Sequence, residues 1–258
     1  KMSKIKIEYL FDNSVARIIL DDGKGNVLDS IMMKDLHQLL DKFAENKDLK
    51  LISFEGAGKH FSFGASVEEH TKENASEMLN SFHGIFYKIM NLSIPTVAKI
   101  SGQCLGGGLE LALICNTMFA DKTSFMGQPE VVLGVFPPPA SLLLPLKIGN
   151  ARAEELLITG ESVSAIKAKE MGIVAEVFED KETMDEELNL WIKKYILPKS
   201  ASSLRYATKT SRTFFNHIMN KFLPKLEDLY VNDLMETHDA NEGINSFLEK
   251  RNPNWKNN

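Results

Sequence analysis

Two glutamates stand where a carboxylate is costly. Glu110 lies in Gly106-Gly107-Gly108-Leu109-Glu110-Leu111-Ala112, and Glu130 lies twenty residues later in Gly127-Gln128-Pro129-Glu130-Val131-Val132-Leu133-Gly134. A charge among apolar neighbours needs a partner or a purpose, because an unpaired ion is expensive to bury. Two carboxyl groups facing one pocket can divide general acid and general base work between them. Spacing alone does not make them converge, and an acidic residue early in a helix is also an ordinary way of stabilising that helix.

The glycines ahead of Glu110 add a second kind of chemistry. A strand-like run, Ile94 to Ile100, passes through Gly102 into Gly106-Gly107-Gly108 and an apolar segment. Glycine lets backbone approach a ligand closely. A helix N-terminus presents unpaired N–H groups at the positive end of its dipole, which can hold an oxyanion. The same pattern also serves as a tight strand-to-helix turn with no ligand. It does not fit the GxGxxG dinucleotide fingerprint. A further loop, Gly58-Lys-His-Phe-Ser-Phe-Gly64-Ala65-Ser66-Val67, follows the strand-like Leu51–Glu55 and reads as a loop, plain or ligand-holding.

The elements that must position these segments change character along the chain. Alternation over Ile5–Tyr9 and Val15–Leu20, with Asp12-Asn13 between, predicts a hairpin. Ser30 is placed to cap a helix whose one face carries Leu36, Leu39, Leu40 and Phe43. A second amphipathic helix is expected from Ser76 to Met90, and short strands at Met118–Ala120, Thr123–Phe125 and Gly172–Val177. From Met184 to Glu249 the pattern is helical, with Pro198 and Pro224 expected as breaks, and the tail Asn252–Asn258 reads as partly loose. Strand-rich structure first and helices last predict an α/β or α+β core, residues 1–195, with a helical C-terminal region, residues 196–258.

Composition narrows the function classes. The 258 residues are 43% hydrophobic and 25% charged, which suits a globular protein with its own core. A net charge of −5 gives no electrostatic reason to bind nucleic acid. Cys104 and Cys115 lie eleven apart without clustered histidines, so free buried thiols are expected, and neither a disulfide framework nor a metal site. Lys1–Glu8 alternates apolar and polar residues rather than forming a signal-peptide core, and no apolar run reaches the ~18 residues of a membrane span, so a cytoplasmic protein is expected.

Taken together, the three glycine-bearing segments resemble the enoyl-CoA hydratase (crotonase) family. Its pattern is a Phe-Ser/Cys-x-Gly-Ala-Asp loop, then Gly-x-x-x-Gly-Gly-Gly-x-Glu-Leu, then Gly-Gln-Pro-Glu. Here these are Phe61-Ser62-Phe63-Gly64-Ala65-Ser66, Gly102 to Leu111, and Gly127-Gln128-Pro129-Glu130. Glu242-Gly243 to Arg251 also resembles the family's ending, so the likeness spans nearly the whole chain. It implies a spiral of ββα units with a helical C-terminal region that builds trimers, which usually pair into hexamers. It implies an acyl-CoA substrate, coenzyme A being part of the substrate and no other cofactor being required. The backbone N–H groups of Ala65 and Gly107 match the family's oxyanion hole. Phe63, Ala65, Ser66 and Val67 match the stretch that holds coenzyme A, and Glu110 and Glu130 match the two catalytic glutamates of its hydratases. Many members that are not hydratases lack one of the pair, so having both implies water addition.

Departures from the pattern concern the acyl group. Ser66 replaces the usual Asp, and Phe63 a small residue. After Gly134 the chain reads Val135-Phe136-Pro137-Pro138-Pro139-Ala140-Ser141, where a glycine-rich turn is usual, and three prolines predict a stiff turn shaping the acyl pocket through Phe136, Pro137 and Pro138. The Phe61–His70 and Gly134–Ser141 segments are similar to those of family members that hydrate a cyclic dienoyl-CoA in anaerobic benzoyl-CoA breakdown. The alternatives are a general short-chain enoyl-CoA hydratase, an isomerase or hydrolase, and a non-catalytic RNA-binding relative. His60 and His70 are expected at the surface or pocket rim, Phe82, Phe86, Tyr87 and Met90 as a core helix face, and Glu179–Glu187 as a solvated helix face.

Overall fold

Alternation within the strands sorts the chain into two buried layers. The computed structural model describes residues 3–258, so Lys1 and Met2 of the alternating N-terminal stretch lie outside the described residues. β1 (Ile5–Leu10) and β2 (Val15–Leu20) form the expected antiparallel hairpin. β2 then pairs in parallel with β3 (Leu51–Gly56), β3 with β4 (Thr96–Ile100), β4 with β6 (Thr117–Asp121), and β6 with β9 (Glu176–Phe178). β5 (Gln103–Leu105), β7 (Phe125–Gly127) and β8 (Ser162–Ser164) make a second, smaller sheet.

Among the described residues ten α-helices fill in around the sheets: α1 (Ser30–Glu45), α2 (Ala75–Leu92), α3 (Gly107–Leu113), α4 (Pro138–Ile148), α5 (Asn150–Thr159), α6 (Ala165–Met171), α7 (Lys181–Tyr195), α8 (Ala201–Ser211), α9 (Thr213–Asp228) and α10 (His238–Leu248). β4, β5 and α3, then β6, β7 and α4, are successive strand–strand–helix units. This is the α/β architecture the glycine motifs implied.

Central strands of a parallel sheet are covered on both faces. Ile52, Phe54, Ala98, Ile100, Met118 and Ala120 face the main core with α1 and α2. Val15, Leu51, Val97 and Phe119 face Met184, Leu188 and Ile192 of α7. On that second face Glu55 pairs with Arg17 at 2.6 Å and with Lys99, and Lys99 also pairs with Asp185 of α7. Asp185 therefore ties its helix to the sheet, which corrects the expectation that Glu179–Glu187 is only a solvated face.

Several boundaries shift for local reasons. Asp29, not Ser30, caps α1, accepting the Met32 N–H at 3.0 Å. β7 begins at Phe125 and β9 at Glu176, each two or more residues later than the apolar pattern suggested. Pro224 sits inside α9 rather than breaking it. The three prolines form no separate turn: Pro137 precedes α4, and Pro138 and Pro139 are its first residues. Proline suits that position because the first helical N–H groups have no partner within the helix.

The C-terminal tail is anchored, not loose. Asp239 accepts N–H bonds from Lys256 and Asn257 at 2.8 and 2.7 Å, and Glu242 accepts one from Asn254 at 2.7 Å. Cys104 and Cys115 are free and buried. Among the described residues no helix is long and apolar enough to cross a membrane.

Candidate active site

Glu110 projects from α3, whose start is set by Gly106 and Gly107. Gly106 has φ +50°, and a Cβ there would fall 2.6 Å from Glu130 Oε1. A side chain at this position would thus be both strained and in the way of the second carboxylate. Gly107 is the first residue of α3, so its N–H has no acceptor within the helix.

Ala65 lies across from it on the loop after β3. Leu28 donates to Gly64 O at 2.9 Å, and Ser66 donates to Leu28 O at 3.3 Å. These bonds turn the Ala65 N–H the opposite way, towards α3. A Cβ built on Gly107 would sit 3.1 Å from Ala65 N. The two N–H groups named from the sequence therefore border one narrow space.

Glu130 sits on the short 3-10 helix Pro129–Leu133. The C-terminal region clamps this turn: a Cβ on Gly243 of α10 would meet Leu133 O at 2.0 Å, and one on Gly134 would meet Asp239 O at 2.8 Å. Trp255 packs over both glycines. Gln128, with its amide nitrogen facing the carboxylate, donates to the two Glu130 oxygens at 3.1 and 3.0 Å.

Both carboxyls are held in the protonated direction. Burial, and then the Glu130 charge, push Glu110 well above the usual carboxylate range, while the Ala140 N–H, donating to Glu110 Oε1 at 2.9 Å, opposes this in part. Glu130 keeps some surface open to the cleft, yet close packing around it still pushes its carboxyl up to about 8. Like charges that share one cleft do not readily ionise together, so the pair favours one carboxyl and one carboxylate. That is an acid and a base side by side.

The cleft between them is narrow, with a volume of about 80 Å³. Phe63, Ala65, Val67, Gly107, Glu110, Glu130, Phe136, Pro137 and Pro138 all line it. Ser66 does not: its backbone bonds to Leu28, and its carbonyl bonds His70 Nδ1 at 2.7 Å. Phe63 is 46% exposed at the mouth, packed edge-on to His60 and over Gly25, where a Cβ would clash with the ring at 2.4 Å. His70 lines the cleft at its rim, whereas His60 accepts the Gln103 N–H at 3.0 Å and braces β5. Phe82, Phe86 and Met90 are buried in the core as expected, and Phe82 also reaches the cleft.

Periodicity gave no signal for three neighbours of the pair. The Ala140 N–H reaches Glu110 from the first turn of α4, where helix N–H groups have no intrahelical acceptor. Tyr230 lies in a helical stretch where it reads as core, and His83, bonded through Nδ1 to Glu227, sits on an apolar helix face. Gln128 was visible, being part of the Gly-Gln-Pro-Glu run.

Known proteins share this arrangement of chain. The family model described as enoyl-CoA hydratase/isomerase matches residues 11–258. Cyclohexa-1,5-dienecarbonyl-CoA hydratase of Thauera aromatica is 38% identical over 255 residues, covering 99% of this chain and 98% of that one. A probable enoyl-CoA hydratase of Bacillus subtilis (strain 168) is 31% identical, covering 97% and 98%. Among solved structures, an enoyl-CoA hydratase from Mycobacterium avium subsp. paratuberculosis K-10 matches with a TM-score of 0.86 at 21% identity over the full length of both chains, a likeness of fold. An enoyl-CoA hydratase/isomerase from Xanthobacter autotrophicus Py2 matches with a TM-score of 0.85 at 25% identity, covering 96% and 94%.

Proposed function

Because the chain belongs to the enoyl-CoA hydratase/isomerase family, we propose that it adds water to a conjugated enoyl-CoA or dienoyl-CoA thioester, with Glu110 and Glu130 as acid and base. One observation carries this reading: the buried Glu110 and the partly buried Glu130 share a cleft that Ala65 and Gly107 also line. In this mechanism the carboxylate takes a proton from water as the oxygen bonds to the β-carbon. The electron pair moves into the thioester, and the two N–H groups stabilise the enolate oxygen. The carboxyl partner then delivers a proton to carbon. Only protons move between enzyme and substrate, so the reaction needs no cofactor beyond the coenzyme A that the substrate carries. Phe63, Ala65, Ser66 and Val67 would hold that coenzyme A, Ser66 from just outside the cleft.

For the acyl group we infer cyclohexa-1,5-diene-1-carbonyl-CoA, hydrated to 6-hydroxycyclohex-1-ene-1-carbonyl-CoA in anaerobic aromatic degradation in the cytoplasm. The 38% identity to the Thauera aromatica hydratase supports this, as does the Phe136-Pro137-Pro138 wall of the cleft. On such a ring the enolate is conjugated through the second double bond. Protonation at its far end leaves one double bond in the product. We also propose that the C-terminal helices assemble the enzyme into trimers or hexamers.

Assaying the pure protein on the cyclic dienoyl-CoA and on crotonyl-CoA tests both levels. Hydration of the ring with much higher kcat/KM than of crotonyl-CoA supports the full reading. Equal efficiency on the two makes it a general short-chain hydratase. Inactivity on both, with thioester hydrolysis or double-bond migration instead, rejects hydration.

A further inference from the structure

Tyr230 breaks a rule of buried polar groups. Its side chain is 1% exposed, yet its hydroxyl has no hydrogen-bond partner. A phenol at such depth normally finds one. The residue sits on a π-helical turn, Leu229–Asp233, that follows α9. Single turns of this kind mark places where a helix is bent to a local purpose. Here the turn carries the ring to the wall of the cleft, edge-on to Phe136 with centroids 5.4 Å apart.

Tyr230 lines the same cleft as Glu110 and Glu130, whose charges add to burial in keeping the phenol protonated. It is a neutral group able to donate one hydrogen bond and accept others. Neither carboxyl lies within hydrogen-bond reach of it, since it has no partner at all. The three residues line one cleft, so a small oxygen bound there is the partner the phenol lacks.

We propose that Tyr230 is a third catalytic residue, hydrogen-bonding the oxygen that is added to the acyl group: the attacking water before reaction and the new β-hydroxyl after it. This rests on the hydratase reading. Tyr230 transfers no proton in the step. Its hydrogen bond fixes the orientation of the water while a carboxylate removes a proton, so that a lone pair points at the β-carbon.

Tyr230→Phe tests this cleanly, because it keeps the ring contact with Phe136 and deletes only the hydroxyl. Calorimetric titration compares 6-hydroxycyclohex-1-ene-1-carbonyl-CoA with cyclohexane-1-carbonyl-CoA, and 3-hydroxybutyryl-CoA with butyryl-CoA. The wild type should favour the hydroxylated member of at least one pair, and the variant should lose about tenfold of that preference while binding the plain thioester unchanged. In turnover, kcat should fall about tenfold or more with KM little altered, and the melting temperature should hold or rise. An unchanged preference, or equal weakening of both thioesters, overturns the proposal and leaves Tyr230 a packing residue. Wild-type protein that hydrates nothing rejects the hydratase reading, while the titrations still decide what the hydroxyl binds.

Discussion

The Ala140 N–H donates to Glu110 Oε1 at 2.9 Å, and it is the first N–H that α4 possesses. Pro138 and Pro139 ahead of it have none. A helix N-terminus usually scatters several unpartnered donors. Here the prolines strip the turn down to a single donor aimed at one carboxyl. Departures from the family's glycine-rich turn thus act on the electrostatics of Glu110 as well as on the shape of the cleft.

Glu110→Gln should separate stability from activity. The amide oxygen keeps the bond from Ala140, while loss of the acid–base group should lower hydration about 10²–10⁴-fold. The sign on stability follows from linkage. In the folded protein the carboxyl stays protonated above its ordinary value of 4.5, whereas in the unfolded chain it ionises there. The Glu110 contribution to wild-type stability therefore falls as pH rises above 4.5, by about 1.4 kcal/mol for each pH unit crossed below the folded pKa. The glutamine does not titrate. Thermal melts should show the variant more stable at pH 8 and equal near pH 4. A variant less stable than wild type at pH 8 contradicts the account.

The pH dependence of the wild-type rate comes from the same pair. Hydration needs one carboxylate, and burial pushes Glu130 up to about 8. The acid limb of kcat/KM should therefore be centred near 8, with rates rising as pH increases towards it. Measured profiles with a midpoint near 4.5 would mean the pair is solvated in solution and not coupled as the structure has it.

Gly107→Ala should damage the proposed oxyanion site directly. The new methyl would stand 3.1 Å from Ala65 N and 3.2 Å from the Phe82 ring, in the space the thioester oxygen would use. Losing an oxyanion donor typically lowers kcat about 10²–10³-fold. Steady-state kinetics showing normal kcat in a folded variant would remove Gly107 from this role.

Much of this site was legible because its chemistry is local. The glycines before Glu110 and the Gly-Gln-Pro-Glu run are contiguous, so the resemblance to the hydratase family could be read from them, though spacing alone left the two glutamates unjoined. Ala140 was not legible as a donor: its importance depends on where α4 points, which no spacing within residues 137–141 encodes. Tyr230 was hidden for a different reason. A helical repeat marks which face is buried, but a π-helical turn shifts that face by one residue, and apolar periodicity is blind to a hydroxyl. The second core layer behaved similarly: Asp185 opens the charged run Asp185-Glu186-Glu187 like any surface residue, and its pairing with Lys99 and Arg17 of the sheet makes it an anchor.

Assembly should be read from the last helices. Tyr206, Phe214 and Phe247 are 67%, 65% and 54% exposed, and Leu229 is 44% exposed, a large apolar outlay for a free surface. Sedimentation at micromolar concentration should give a trimer or hexamer, and Phe214→Glu should shift it towards monomer. A stable wild-type monomer would remove the C-terminal helices from any assembly role.

Phe136 should set the acyl preference. It lies half-buried on the cleft wall, its ring meeting Tyr230, and the next residues, Pro137 to Pro139, are buried and fixed in φ. That wall yields little, so a ring that fits flat against it gains what a long chain loses. Each methylene in such a pocket is worth roughly 1–3 kcal/mol. Phe136→Ala opens the wall on one side only, leaving Glu110, Glu130 and both N–H donors in place. Efficiency on the cyclic dienoyl-CoA should drop about tenfold or more, while eight- to ten-carbon linear enoyl-CoA thioesters should improve relative to it, read as the ratio of kcat/KM values. If both fall in parallel, Phe136 supports the site without selecting its substrate. If the linear thioesters are already the better substrates of the wild type, the proline-backed wall does not define a ring pocket.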